Sequence, residues 1–200
     1  MFAKDHQYYT HAEYFAIEEQ SETKSEYHQG EIVAQAGATI DHNRIALNTA
    51  NVIINALAGT PCETFVADLR VWIEKRDRYV YPDVMVVCGD PAFIEGRTDT
   101  ITNPKVVIEV LSESTEHYDR SSKFHAYWTL AGFEEYVLID QSQMRVEYFR
   151  RMSDKEWLLR VLTKPEDSLL LESIEVEIAL EKIYRNVTWP VDESSASTAE

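Results

Sequence analysis

Two segments decide the fold of this chain: Tyr81-Pro82-Asp83-Val84-Met85-Val86-Val87 and, after a polar loop, Pro104-Lys105-Val106-Val107-Ile108-Glu109-Val110-Leu111. Both are short runs of apolar, mostly β-branched residues, a composition typical of β-strands. The second run is apolar on both faces, which predicts an interior strand in a sheet covered by helices. Each run also carries one carboxylate, Asp83 or Glu109, and burying a charge is costly unless a partner or ligand compensates for it. These two carboxylates are therefore the first functional candidates.

The composition is that of a globular domain. The chain has 200 residues, of which 44% are hydrophobic and 27% are charged, and this balance is ordinary for one folded unit. We expect a single domain over residues 1–190 and a disordered acidic tail over residues 191–200. No apolar run approaches the ~20 residues of a membrane span, and the first residues lack the pattern of a signal peptide. These features predict a cytoplasmic location.

Charge and cysteine content bear on partners and redox state. The net charge is −16, and affinity for nucleic acid comes largely from Lys and Arg. The charge therefore argues against tight, non-specific binding to long DNA but leaves room for a local basic groove. Cys62 and Cys88 have no CxxC spacing, so we predict a reduced, buried and inert pair.

The amino-terminal part of the chain predicts a helix, a hairpin and a second helix. The capping box Thr10–Glu13 predicts a short helix over residues 11–20. Gly30 marks the turn of a hairpin over residues 26–36. Asp41 is placed to cap the next helix, whose apolar residues recur at helical spacing.

The middle of the chain predicts antiparallel pairing. Alternation over residues 65–73 predicts one strand, with Asp68 and Arg70 pairing on its polar face. The charged turn at residues 74–78 then leads back into residues 81–88. These two segments are expected to form a hairpin.

The second half of the chain predicts a helix followed by strands. The helix begins near Asp119 and ends at Gly132, with a buried aromatic stripe. Strand patterns follow at residues 135–140, 144–150, 157–162 and 169–180. Met144, Val146 and Tyr148 would present an exposed edge, which favours a homodimer.

Asp83 and Glu109 are candidate metal ligands. The loop between their strands would let them lie side by side, and two converging carboxylates suit a hard cation such as Mg²⁺ or Mn²⁺. Such a cation would activate a water for attack on phosphorus, while Lys123 adds a fixed positive charge. The spacing alone is equally consistent with a structural role, in which Glu109 pairs with Lys123 or Arg120 and no chemistry occurs.

The pattern resembles the Uma2 family of restriction-endonuclease-like domains, a branch of the PD-(D/E)XK phosphodiesterase superfamily. The matching segments are Gly30–Val33, His42–Arg44, Ala67–Val71, Pro82–Val84, Val107–Thr115, Asp119–Tyr127 and Glu135–Asp140. The resemblance extends over roughly residues 10–185. It implies an α/β (α+β) fold with a restriction-endonuclease-like core. A central mixed β-sheet would be flanked by helices, with an additional N-terminal hairpin and C-terminal strands.

The resemblance also implies a Mg²⁺- or Mn²⁺-dependent endonuclease that acts on nucleic acid, with DNA as the expected substrate. Asp83 and Glu109 would bind the metal, with the backbone carbonyl of Val110 as a third ligand, and Lys123 would be catalytic. In the superfamily a lysine stands two residues after the glutamate, where this chain has Leu111. The resemblance implies that this family carries the lysine on the following helix, as Lys123, and a lysine stem is long enough to reach back.

Other positions leave alternatives open. Glu31 and His42 match recurring family positions and would form the rim of the site, although a first-turn histidine can equally face solvent. Glu113 replaces a proline common in the family and adds negative charge beside the phosphate site. Together with the net charge, it supports a second hypothesis: a non-catalytic binding or regulatory module that acts through protein partners. The sequence has no motif of a nucleotide triphosphatase, zinc enzyme or serine hydrolase.

Overall fold

A six-stranded mixed β-sheet forms the centre of the computed structural model, which describes residues 7–35 and 37–189. The predicted tail at residues 191–200 lies outside the described residues, and the domain limits of 1–190 stay a prediction. In the described part of the chain, no helix combines the length and the apolar character needed to cross a membrane.

The elements alternate irregularly along the chain. The helices are α1 (His11–Glu18), α2 (Ile40–Ala56), α3 (Glu116–Tyr118), α4 (Phe124–Tyr127) and α5 (Leu180–Ile183). The first strands are β1 (Ser25–His28), β2 (Glu31–Ala34), β3 (Cys62–Val66), β4 (Arg70–Ile73), β5 (Arg78–Val80), β6 (Val84–Cys88) and β7 (Thr100–Ile101). The remaining strands are β8 (Val106–Leu111), β9 (Glu135–Asp140), β10 (Val146–Arg151), β11 (Trp157–Leu162), β12 (Ser168–Leu171) and β13 (Val176–Ala179).

The central sheet has the strand order β11-β10-β9-β8-β6-β3. β8 runs parallel to β9 and antiparallel to β6, and all six of its residues are buried. One face of the sheet packs against α2, α5 and the β12–β13 hairpin. The other face packs against α4 and strands of the second sheet. The prediction of an interior strand covered on both faces is confirmed, as is the mixed α/β class.

A second, five-stranded sheet has the order β2-β1-β5-β4-β7. Its first hairpin, β1–β2, and the helix α1 before it agree with the sequence. The capping box is present, because the Thr10 side chain accepts from the backbone of Glu13 and the Glu13 side chain accepts from the backbone of Thr10. Gly30 has a φ of 97°, a conformation that glycine tolerates. The additional N-terminal hairpin is therefore confirmed.

The prediction of one strand over residues 65–73 is wrong. The chain leaves the central sheet after β3 and enters the second sheet at β4, with Ala67 in the left-handed region at a φ of 52°. The predicted hairpin exists in two pieces, because β3 pairs with β6 and β4 pairs with β5. Alternation cannot reveal this change of sheet, since both halves keep the same period.

The predicted pairing of Asp68 with Arg70 is also wrong. Asp68 contacts Lys24, and Arg70 contacts Asp99. The break at Ala67 separates the two residues from a common strand face, so each finds a partner elsewhere.

Three predicted element limits are corrected. Thr39, rather than Asp41, caps α2, and its hydroxyl accepts from the His42 amide at 3.1 Å. The helical segment after β8 begins at Glu116 rather than near Asp119. Residues 169–180 form the β12–β13 hairpin instead of one strand, with Glu175 in the left-handed region between its arms.

The cysteine prediction is wrong as well. Cys62 and Cys88 face each other across β3 and β6, with Cα atoms 3.9 Å apart, and form a disulfide. Both residues are half-buried. Their pairing depends on the register of two strands that sequence spacing does not specify, which is why the absence of a CxxC motif was misleading.

The predicted dimer edge is not at the surface. β10 lies between β9 and β11 in the central sheet, and its Val146 and Tyr148 are fully buried. The outer strand on this side of the sheet is β11, which confirms the strand predicted for residues 157–162. The homodimer therefore stays a prediction, and an exposed edge at β10 no longer supports it.

Candidate functional site

Asp83 and Glu109 lie opposite each other on adjacent strands. Val84 of β6 pairs with Ile108 of β8, so extending this antiparallel register by one residue sets Asp83 against Glu109. The Val110 amide donates to Asp83 Oδ2 at 2.7 Å, which ties the start of β6 to β8. The side chain of Asp83 is 24% exposed, whereas that of Glu109 is buried. The structure thus brings the two predicted carboxylates together, with Asp83 on the open side.

His42 reaches this pair from the first turn of α2. Its Nε2 lies 3.3 Å from Asp83 Oδ2, and its side chain is largely buried. Burial lowers the pKa of the imidazole, but the hydrogen bond to Asp83 and the charge of that carboxylate outweigh it, so the pKa of His42 is raised. The alternative of a solvent-facing histidine is excluded.

Lys123 approaches Glu109 from the helical segment after β8. Residues 119–123 form a π-helical stretch between α3 and α4, a feature frequent at functional sites. The Lys123 ammonium lies 2.9 Å from Glu109 Oε1, 3.4 Å from Asp119 Oδ1 and 3.3 Å from Glu26 Oε1. Only 4% of Lys123 is exposed. The predicted lysine is therefore in place beside Glu109, in a buried ring of three carboxylates.

Sequence reasoning missed two residues of the site, Glu26 and Asp119, and Glu26 is the more distant of them in sequence. It lies on β1, in the hairpin far from Lys123 in sequence, and only 5% of it is exposed. Its Oε2 accepts from the Tyr118 hydroxyl at 3.0 Å and lies 2.9 Å from His28 Nε2, and its Oε1 accepts from the Tyr81 amide at 3.2 Å. A carboxylate in a short hairpin carries no local signal of such a role. Asp119 had a clearer sequence signal, since it stands one helical turn before Lys123.

The surroundings of position 111 explain why this chain has a leucine where the superfamily has its lysine. Leu111 is buried in the apolar cluster that includes Phe124 and Tyr136. A charged side chain there would enter this cluster, whereas Lys123 reaches Glu109 from the covering helix.

Glu31 begins β2 and pairs with His28 across the hairpin. It is half-buried, and its predicted place on the rim stays a prediction. Glu113 is exposed in the turn after β8.

The charge of the cluster suits a divalent cation. Three carboxyl groups, Glu26, Glu109 and Asp119, surround the ammonium of Lys123, and the carboxylate of Asp83 lies opposite Glu109 on the neighbouring strand. Burial raises the pKa of Glu109 well above its ordinary value despite the opposing effect of Lys123, and the charges of Asp119 and Asp83 add to the rise. Burial also raises the pKa of Asp119. A divalent cation beside Asp83 and Glu109 would supply positive charge that the cluster lacks.

Few side chains at the site are placed to bind a metal ion directly. Among residues 7–35 and 37–189, no group of three or more His, Cys, Asp or Glu side chains is arranged to hold a metal ion. Mg²⁺ commonly takes only one or two carboxylates and keeps several waters. Asp83 and Glu109 fit that mode of binding, and the Val110 carbonyl as a third ligand stays a prediction.

Glu26 should make the stability of the protein depend on acid. Lys123 and His28 overcome the effect of burial and lower the pKa of Glu26 to about 2 from its ordinary 4.5. The ionised Glu26 therefore stabilises the fold above pH 4.5, and this contribution disappears as the pH falls towards 2. The excess stability of the wild type over Glu26→Gln should be on the order of 3 kcal/mol at pH 7 and shrink across this interval.

Urea unfolding of both proteins at several pH values between 7 and 3 measures this difference. Glu166→Gln, at an exposed position, serves as the matched control and should differ little from the wild type at any pH. A constant difference between wild type and Glu26→Gln over the whole range would contradict the assignment.

Comparisons with known proteins bear on the family and the fold of the chain. The model of the Uma2 family, described as "Putative restriction endonuclease", matches residues 11–181. Two uncharacterized proteins of Synechocystis sp. PCC 6803 are similar over most of the chain. The protein sll1609 is 40% identical over 174 residues, covering 87% of this chain and 94% of that protein. The protein slr1290 is 34% identical over 177 residues, covering 88% and 92%.

The fold is also similar to that of solved structures. One of them is the crystal structure of a putative nuclease belonging to DUF820 from Anabaena variabilis, with a TM-score of 0.69 at 19% identity. The match covers 86% of this chain and 96% of the other. At this identity the likeness shows a shared fold.

Proposed function

Because this chain belongs to the Uma2 family of restriction-endonuclease-like proteins, we propose that it is a Mg²⁺- or Mn²⁺-dependent nuclease that hydrolyses phosphodiester bonds of nucleic acid. The observation that carries the proposal is the pairing of Asp83 and Glu109 across β6 and β8, beside the buried ammonium of Lys123. A purely structural ion pair would not need the additional, partly exposed carboxylate of Asp83 at the same point.

Each residue has a defined task in this proposal. Asp83 and Glu109 hold the metal, with the carbonyl of Val110 as a further ligand. The metal, when bound, supplies an activated water and neutralises charge that develops on the phosphate. Lys123 is held within 2.9 Å of Glu109 and offers a fixed positive charge to the same phosphate. His42 holds the Asp83 carboxylate in position from α2.

Several finer assignments belong to the same proposal. We expect DNA as the substrate, a cytoplasmic location and a homodimer. The family resemblance supports the substrate, and the composition supports the location. Glu31 would contribute to the rim of the site from the β1–β2 hairpin.

A cleavage assay tests the activity. Single-stranded DNA, double-stranded DNA and RNA are incubated with Mg²⁺, with Mn²⁺ and with EDTA. We expect cleavage of at least one substrate with either metal and none with EDTA, because the cluster itself lacks the positive charge that the reaction needs. Cleavage that continues unchanged in EDTA would contradict the proposal.

Metal binding can be measured without activity. Calorimetric titration of Mn²⁺ into the wild type should give a saturable signal that Asp83→Asn loses, because the variant removes one of two ligands. Asp154→Asn, at an exposed position, should bind like the wild type. Equal binding by Asp83→Asn would place the metal elsewhere.

The second hypothesis has one observation in its favour. A net charge of −16 opposes binding to nucleic acid and suits a module that acts through a protein partner. Absence of cleavage with every metal and substrate, together with salt-independent capture of one defined protein, would favour it over the nuclease.

A further inference from the structure

A groove between α2 and the end of α5 has the opposite charge from the chain as a whole. Its volume is about 330 Å³, and its walls are Asn48, Asn51, Val52, Asn55, Lys182 and Arg185. None of these six residues is acidic, although the chain has 35 acidic and only 19 basic residues. This α2–α5 groove is thus a local cationic surface on a strongly acidic protein.

The two cations of the groove are available to a ligand. Lys182 and Arg185 are exposed, and neither takes part in any of the salt bridges that the described residues form. The guanidinium of Arg185 lies 3.5 Å from Asn48 Oδ1, and this is its single side-chain hydrogen bond among the described residues. Many other basic side chains of this protein are already neutralised by carboxylates, such as Arg97 by Asp99.

The frame of the groove is fixed. The Asn48 side-chain amide donates to the backbone carbonyls of Ile183 and Arg185, at 3.0 and 2.9 Å. These bonds fasten the end of α5 to the middle of α2, so Lys182 and Arg185 stand on an ordered backbone. A preorganised pair of cations loses less entropy on binding than a pair on a loose loop.

The groove and the candidate site share one helix. His42 meets Asp83 at the start of α2, and the groove residues of this helix follow between Asn48 and Asn55. At ~1.5 Å of rise per residue, they lie about 9 to 20 Å along the helix axis from His42. One strand of nucleic acid advances ~3.4 Å per nucleotide, so the groove is roughly three to six nucleotides from the site.

We propose that the α2–α5 groove binds the sugar-phosphate backbone of the nucleic acid substrate, several nucleotides away from the bond that is cleaved. Lys182 and Arg185 neutralise phosphates, and the amides of Asn51 and Asn55 donate to phosphate or sugar oxygens. The inference rests on the nuclease function proposed above. It supplies the route by which so acidic a chain reaches nucleic acid.

Fluorescence anisotropy with labelled single- and double-stranded DNA, in Ca²⁺ or EDTA, tests the groove without catalysis. Lys182→Ala with Arg185→Ala should weaken binding by about tenfold or more at 0.1 M salt and reduce the salt slope of log K by about 2. Asn51→Asp, which leaves both cations in place but adds a negative charge, should weaken binding too. Lys155→Ala with Lys164→Ala removes two exposed lysines elsewhere and should have a small effect.

Each outcome decides the inference. Equal affinity and equal salt slope for the wild type and the Lys182/Arg185 double variant would overturn it, as would no binding of DNA by the wild type. Polyglutamate that binds the groove more tightly than DNA would instead indicate an acidic protein partner.

A parallel cleavage assay separates the groove from the nuclease proposal. Loss of cleavage in Glu109→Gln, with normal binding by the Lys182/Arg185 variant, would support the nuclease function and contradict the role of the groove. Weakened binding by that variant, without cleavage by the wild type under any condition, would contradict the nuclease function. It would still support the groove as a surface that binds nucleic acid.

Discussion

Glu109→Gln should lower the rate of metal-dependent cleavage by about 10²- to 10³-fold or more, a size typical for the loss of a main electrostatic group at a reaction centre. The substitution removes one of two proposed metal ligands and keeps the size of the side chain. Single-turnover rates at saturating Mg²⁺ measure the effect. An unchanged rate would end the proposed role of Glu109.

The same substitution should leave the fold intact, and this separates function from stability. Burial raises the pKa of Glu109 despite the opposing charge of Lys123, so the negative charge of this carboxylate adds little to the stability of the fold, and glutamine keeps the size of the side chain without that charge. The free energy of unfolding in EDTA should therefore lie within about 1 kcal/mol of the wild type or above it. Glu166→Gln is the control for both measurements and should change neither the rate nor the stability. A strongly destabilised Glu109→Gln would indicate a structural carboxylate.

Lys123→Met should destabilise the protein by about 3–5 kcal/mol and abolish cleavage. The substitution removes the ammonium and leaves the carboxylate of Glu26, whose pKa is lowered to about 2 largely by Lys123, buried without it. Removing one partner of a buried ion pair has a cost of this size because the remaining charge loses its compensation. Urea unfolding measures the loss. Lys155→Met, at an exposed position, should change the stability by no more than about 0.5 kcal/mol.

A second substitution should recover part of that loss. Adding Glu26→Gln to Lys123→Met removes this unpaired negative charge, so the double variant should be more stable than the sum of the two single effects predicts. Contacting residues of this kind commonly show coupling of 0.5–3 kcal/mol. Strict additivity would mean that Glu26 and Lys123 do not interact, contrary to their 3.3 Å separation.

The sequence was most informative where the structure depends on neighbouring residues. The apolar, β-branched run at residues 106–111 predicts an interior strand, and β8 is buried on both faces. Asp83 and Glu109 could be singled out because a lone carboxylate in such a run is costly to bury. The motif around Lys123 directed attention to the helical segment that approaches Glu109. These predictions depend on composition and period within a few residues.

The sequence was less informative where the chain passes from one sheet to the other and where distant strands pair. Residues 65–73 keep one alternating pattern although they serve two sheets, and the bend at Ala67 leaves no clear mark on that pattern. The disulfide depends on the register of β3 against β6. Register between distant segments follows from the packing of the whole core.

The sequence by itself determined the buried strands and the carboxylates on them, because hydrophobic period and the cost of burying charge act locally. Only the tertiary structure decided that Glu26 from the N-terminal hairpin meets Lys123, and that Lys182 and Arg185 line a groove against α2. Those contacts join residues about one hundred or more positions apart, and no spacing rule spans such a distance. The physical reason is that folding brings distant elements together by burying their apolar faces, and the polar groups they carry meet as a consequence.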